Sequence, residues 1–508
     1  MLSRRACMGL GTAALFLPLG HRPASASAFS FETVKAMAAE RASNPFDDSH
    51  PPLPDSLRDL DYDGYRKIRF MPNGALWQGD GRFSLQFFHL GFLFKRPIAI
   101  SLVENGQSAP LAYDREMFDF GGNDLGEGLA DVTGFAGFRV HFPLHQPDYD
   151  DEIAVFLGAS YFRVLGREQI YGISARALAI DTASEAGEEF PFFRAFWIEK
   201  PAADADHIVI NALLDSQSVA GAYRFTITPG TDTVVDVESV IYPRRDVAKL
   251  GVAPLTSMYL FGENDRVDVD DIRPEVHDSD GLAIHHANGE WVWRPLVNRD
   301  ELTITPIAAD PPQGFGLMQR DRDFENYLDV EAEYERRPDL WIEPQGHWGV
   351  GRIELVEIPS QREIHDNIVA YWVPDEPVVA GQSLTFNYRL TATLDSRTGQ
   401  PPGGRVTATR VGKANPWLEE DTGPARQFVI DFAGGDLDLL RPEQQVSGDV
   451  AISAGRVEPV VIKAVPEIGC WRAAFIYEPD GAPADLRCFL KLDGEILTET
   501  WSYLWTPA

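Results

Sequence analysis

The stretch Tyr223–Tyr242 reads YRFTITPGTDTVVDVESVIY, two runs of alternating apolar and polar residues on either side of Pro229-Gly230. A period of two marks a strand with one face buried and the other wet, and Pro-Gly is a turn signal between strands. The pattern recurs along the chain. Arg82–Phe94 (RFSLQFFHLGFLF), Ile153–Phe156, His207–Leu213 and Gln382–Ala392 are further short alternating or apolar runs, punctuated by clusters such as Pro72-Asn73-Gly74 and Pro311-Pro312. One short helix is predicted, Glu32–Ala42, stopped by Asn44-Pro45. Long amphipathic helices are missing. The fold class is therefore all-β, a β-sandwich.

A chain of 508 residues is too long for one ordinary core. Residues 29–393 hold no convincing linker and read as one large sandwich. Residues 394–404 (LDSRTGQPPGG) are turn formers without apolar periodicity and form the boundary. Residues 405–508 carry strands near Gln427–Phe432, Arg456–Ala464, Trp471–Ile476, Arg487–Leu492 and Trp501–Trp505, which suits an immunoglobulin-like sandwich. Between them lies the polar loop Asn415–Arg426 (NPWLEEDTGPAR), long enough to cover a neighbouring surface, its own cleft or a partner's.

The first 28 residues read as a targeting segment. Arg4-Arg5 precedes an apolar run from Met8 to Leu19, and two small-residue cleavage sites follow at Ala24-Ser25-Ala26 and Ala26-Ser27-Ala28. The adjacent arginines are the twin-arginine form, which addresses a protein for export already folded, although an ordinary secretory leader can also carry two arginines; either implies export, to the periplasm in a Gram-negative cell. No later run reaches the length of a membrane span. Formal net charge is −32, which repels nucleic acid and anionic lipid and favours a neutral substrate. Apart from Cys7 in the leader, the cysteines are Cys470 and Cys488. A hairpin of Cys470–Pro479 with Leu486–Lys491 would set Cys488 opposite Ile476, too far from Cys470 for a bridge, so two unpaired thiols are expected.

Chemistry concentrates in a repeated motif, Glu275-Val276-His277-Asp278-Ser279-Asp280 and Glu363-Ile364-His365-Asp366-Asn367. Each copy is also compatible with a plain turn in which Asp caps backbone amides. Its repetition, however, lets two distant segments each offer one carboxylate to a shared cleft, as hydrolysis of a sugar acetal requires. The segment Phe315–Trp348 adds alternating charge at Arg320-Asp321-Arg322-Asp323 and aromatics at Tyr327, Tyr334, Trp341 and Trp348. Such a mixture of rings and hydroxyl-binding groups suits a sugar, although surface ion pairs and core aromatics would look the same. His277, Asp280, Arg320, Arg322, Asp323, Tyr327, Trp341, Trp348 and His365 are the expected substrate contacts. No metal motif, phosphate loop or GxSxG elbow is present, so neither metal nor cofactor is expected.

Longer stretches carry a resemblance: LDYDGYRKIRF (Leu60–Phe70), LWQGDGRFSLQFFHLGFLF (Leu76–Phe94), FLGASYFRVLGREQIYGISARALAIDTA (Phe156–Ala183), EEFPFFRAFWIEKP (Glu188–Pro201), RPEVHDSDGL (Arg273–Leu282), QRDRDFENYLDVEAEYERRPDLWIEP (Gln319–Pro344) and EIHDNIVAYWVP (Glu363–Pro374). The chain resembles the periplasmic glucan biosynthesis proteins, the family of MdoG/OpgG and OpgD, and its twin-arginine leader looks more like OpgD. The resemblance implies a galactose-mutarotase-like sandwich followed by an immunoglobulin-like domain, and a role in making osmoregulated periplasmic glucans. It further implies inverting endo-β-1,2-glucanase activity, with Asp366 as acid, Asp278 as base, and Glu363 and Tyr334 relaying a proton from the attacking water. Inversion needs carboxylates roughly 6.5–9.5 Å apart, or wider with a relay. The alternatives are transglycosylation to cyclic products and a non-catalytic glucan scaffold. A homodimer is an expectation from the resemblance alone.

Overall fold

A computed structural model describes residues 27–123, 134–267, 269–309, 311–394, 398–415 and 423–507. The leader up to residue 26 and the loop 416–422 with Trp417 lie outside the described residues, as does part of the expected linker, 395–397. The fold is all-β. Tyr223–Tyr242 lies in the antiparallel strands Val219–Thr228 and Thr233–Pro243, in register from Thr228 opposite Val234 to Val219 opposite Pro243. Their alternation sorts as period two requires. Phe225, Ile227, Val235, Val237 and Ile241 point into the core, while Arg224 pairs with Glu238 at 3.2 Å on the wet face.

This hairpin sits in the middle of the first sheet of the large sandwich. On one side follow Ile208–Asp215, Phe192–Glu199 and, in parallel, Ala99–Glu104. On the other follow Asn387–Thr393, Asp339–Gln345, Pro312–Met318, Gly281–His286 and Trp291–Pro295. The second sheet runs Thr303–Ala308, Gly351–Glu357, Ile368–Pro374, Leu250–Ser257, Ser174–Arg176, Tyr161–Val164, Tyr149–Leu157, Gly137–Gln146 and Ser84–Phe88. The two sheets enclose one apolar core rich in phenylalanine, including Phe138, Phe156, Phe162, Phe193, Phe196 and Phe225. The helix Phe31–Ala42 packs Val34 and Ala38 against the outside of the first sheet.

Three expectations need correction. The run Arg82–Phe94 is a strand only over Ser84–Phe88. Beyond it Gly91 and Phe92 take φ of +148° and +54°, turning the chain so that Phe92 and Phe94 pack on Tyr65. The free thiols at Cys470 and Cys488 are as expected, but no hairpin joins their strands. Cys470–Glu478 pairs with Arg426–Ala433, whereas Ala484–Leu492 pairs with Ser447–Ile452 and Thr500–Trp505 in the opposite sheet. The C-terminal strands also do not stand apart: Thr500–Trp505 runs parallel to Trp291–Pro295, with Val292 opposite Thr500 and Trp293 opposite Trp501. The first sheet therefore continues from the large sandwich into the small one. No helix among the described residues is long and apolar enough to cross a membrane.

Candidate active site

Both copies of the repeated motif are anchored to one short segment, Met258-Tyr259. Asp278 follows the two-residue strand Val276–His277, and its backbone N–H donates to Met258 O at 2.8 Å. Asn367, the residue after Asp366, accepts from Tyr259 N–H at 2.8 Å and donates back to Tyr259 O at 2.9 Å. The amide of Asn367 thus does for the second motif what the backbone does for the first. Two segments far apart in the chain are held beside each other, each carrying an aspartate.

The two aspartates differ in surroundings. Asp278 is buried, and loss of hydration raises its pKa; Arg337, in direct contact with its Oδ1, opposes the rise and the field of Asp366 adds to it. Asp366 is exposed, yet protein crowding its carboxyl raises its pKa too, against the opposing fields of Arg163 and Arg337. Tyr334 is 2 % exposed and its hydroxyl donates to Glu363 Oε2 at 3.2 Å. Burial pushes the phenol well up, and both Glu363 and Asp278 add to this, so Tyr334 stays protonated between two carboxylates. Arg337 lies 4.1 Å from the Tyr334 ring centre and donates Nε and Nη2 to Ala332 O, so its guanidinium is fixed from three sides.

Behind this front layer lies a second one. His277 is wholly buried, with Nε2 on Glu275 at 2.8 Å and Nδ1 on Gln319 at 2.8 Å, and it stacks on Tyr259. Burial alone would lower its pKa, but the hydrogen bond and charge of Glu275 outweigh it and the value is pushed up to about 9. Glu263, Glu275 and Asp321 bring carboxylate oxygens within 4.8 Å of one another. Burial, then mutual repulsion, raises Glu263 and Asp321 well above the carboxylate range.

The substrate contacts expected from sequence divide in two. His365 and Asp323 are exposed. The others are structural. Arg320 lies 3.5 Å from the Trp293 ring centre and pairs with buried Glu499 from the small sandwich. Arg322 binds Asp339 at 2.7 Å, and Asp280 accepts from the N–H groups of Arg320 and Asp321. Tyr327, Trp341 and Trp348 are 0, 2 and 5 % exposed and cannot reach a ligand. Trp341 packs between the sandwiches and Trp348 in the main core. Gly281 explains how the motif abuts this interface, since a Cβ there would sit 2.1 Å from the Trp293 ring.

Sequence reading missed Arg337, Arg273 and Arg163. Arg273 donates to Glu363 at 2.7 Å, to Asp329 at 2.9 Å and to Asp271, tying three loops together. Arg337 stands three residues after Tyr334, a spacing that suggests contact across one turn. Arg163 carries no local signal. Its field acts on Asp366 from a strand that only the order of the sheet brings near.

The model of the family described as "Periplasmic glucan biosynthesis protein, MdoG" matches residues 29–505. Glucans biosynthesis protein G of Vibrio cholerae serotype O1 is 46% identical over 488 residues, 96% of this chain and 88% of that protein. The protein of the same name from Rhodopseudomonas palustris is 46% identical over 487 residues, 95% of each chain. That from Bradyrhizobium diazoefficiens is 44% identical over 500 residues, covering 98% of this chain and 97% of its own.

Proposed function

The chain belongs to the MdoG family of periplasmic glucan biosynthesis proteins, and from that premise we propose that it is a glycoside hydrolase cutting β-1,2-linked glucan by a single inverting displacement. The observation that carries this reading is the shared anchoring of Asp278 and Asp366 on Met258-Tyr259. One carboxyl is buried and arginine-paired, the other exposed and crowded, so two acids of one kind are differentiated by environment. Asp366 gives a proton to the departing glycosidic oxygen. Water attacks the opposite face of the sugar, and its proton passes to Asp278, directly or through the Tyr334 hydroxyl and Glu363. Tyr334 remains neutral throughout because burial disfavours the phenolate, and it transmits a proton without keeping it.

The test is incubation of the purified protein, and of its Asp278→Asn and Asp366→Asn variants, with linear β-1,2-glucan, followed by product masses. The wild type should yield shorter chains and a single anomer at first turnover. Each variant should lose cleavage by a factor on the order of 10³ or more while keeping its unfolding midpoint. Rings lighter by one water would point to transglycosylation, and an Asn variant cutting at the wild-type rate would refute the assignment.

A further inference from the structure

Gln319 follows the strand Pro312–Met318 and is 2 % exposed, so the polar groups of its side chain need partners inside the protein. It finds three. Its amide nitrogen donates to His277 O at 2.9 Å and to Tyr334 O at 3.3 Å, and its Oε1 faces His277 Nδ1 at 2.8 Å. A nitrogen that faces two carbonyls is the donor, so the amide oxygen is the acceptor and His277 Nδ1 carries the hydrogen. His277 is held from its other side by Glu275, 2.8 Å from Nε2. The amide is thereby locked in one orientation.

The two carbonyls belong to different parts of the proposed site. His277 directly precedes Asp278, and its carbonyl lies at the start of the peptide bond that leads into the aspartate. Tyr334 opens the single turn Tyr334–Arg336, which is followed by Arg337, the cation on Asp278. That turn is entered through Glu333 at φ +42°, a left-handed conformation that a residue with a side chain keeps only where its surroundings hold it. The holding groups come from the same stretch of chain as Gln319. Its backbone N–H donates to Asp339 at 2.5 Å, Asp339 binds Arg322 at 2.7 Å, and Arg322 donates to Glu335 O at 3.0 Å and to Arg337 O at 2.5 Å. Arg322 braces the turn alone. The Gln319 side chain goes further and joins the turn to the segment that carries Asp278, backbone to backbone.

We propose that Gln319 is a positioning residue that sets the spacing between Asp278 and the Tyr334 hydroxyl, an inference that rests on the glucan-cleaving reading above. It is buried and acts through the two backbones, without touching the sugar. The chemistry requires an amide. A carboxylate of the same shape would still accept from His277, but it would turn an anion on two carbonyl oxygens and push the turn away from the base.

The experiment compares the full-length protein with its Gln319→Glu variant, which keeps the shape and the acceptor and loses the donors. Crystal structures of the two should show the Tyr334 hydroxyl moved by about 1 Å or more, and kcat on linear β-1,2-glucan should fall about a hundredfold while KM changes less than about twofold. In a Tyr334→Phe background the same substitution should lower kcat by less than about threefold, since no hydroxyl is left to misplace. If Gln319→Glu does not fold, Gln319→Asn, a methylene too short to span both carbonyls, takes its place. An unmoved Tyr334 overturns the proposal whether or not glucan is cut. A loss of kcat as large in the Tyr334→Phe background as in the parent, or one matched by a rise in KM, overturns it too, because either marks a purely structural role. The hydrolase reading fails separately, if the unmutated protein cuts no β-1,2-glucan.

Discussion

Arg337 and Arg163 act unequally on the two candidate carboxylates, and the difference can be measured. Arg337 lowers both Asp278 and Asp366 against the upward push of burial, while Arg163 opposes the rise at Asp366 alone. In the proposed mechanism the acidic limb of the activity profile is ionisation of the base and the alkaline limb is loss of the acid's proton. Removing a cation from a carboxylate raises that carboxylate's pKa. Arg337→Met should therefore move both limbs of kcat/KM to higher pH, with a reduced plateau, and Arg163→Met should move only the alkaline limb. A pH profile for Arg163→Met in which the acidic limb shifts instead would reverse the roles assigned to Asp278 and Asp366. The two aspartates were legible in the sequence because the repeated motif exposed them. Their tuning was not, because neither arginine belongs to the motif, and Arg163 reaches Asp366 only across strands whose order the local sequence does not encode.

Three loops around Glu363 are tied together by Arg273. Its guanidinium touches Asp271 on its own loop, Asp329 on the second and Glu363 on the third. Without that cation three carboxylates face one another, and Glu363 loses the group that aims it at Tyr334. These pairs are partly wet, so their combined contribution to stability is small, about 1 kcal/mol. Misplacement of a reacting group by about 1 Å costs about a hundredfold in rate. Arg273→Ala should accordingly lower kcat by about two orders of magnitude while shifting the unfolding midpoint little; unchanged kcat would mean that Glu363 holds its position unaided. Strand periodicity was readable wherever one face is buried, as in Tyr223–Tyr242. It misled at Arg82–Phe94, where apolar spacing continues through a left-handed turn. It also misled at Tyr327, Trp341 and Trp348, since a ring that fills a core and a ring that holds a sugar have the same local pattern.

At the scale of the whole chain, the two sandwiches share a sheet and a core. The strand Trp291–Pro295 pairs on one side within the large sandwich and on the other with Thr500–Trp505. Trp293, Met318 and Trp341 pack in one cluster with Phe428, Trp471 and Trp501, and Arg320 spans the junction to a Glu499 carboxylate that is 0 % exposed. Residues 394–404 mark a change in composition, yet turn content cannot report a strand pairing that closes only at Thr500–Trp505. Three costs fall on a large sandwich made alone. It exposes an unpaired strand edge, which invites association with another copy. It uncovers an apolar face bearing Trp293 and Trp341. It also strips Arg320 of its Glu499 partner. The full chain should then unfold in denaturant as one transition by both fluorescence and circular dichroism, and a fragment of residues 29–393 should aggregate or self-associate. A soluble, monomeric fragment with the unfolding midpoint of the parent would show that the shared sheet contributes nothing to the stability of the large sandwich, and that the junction at Trp293 and Arg320 is a contact between independent domains.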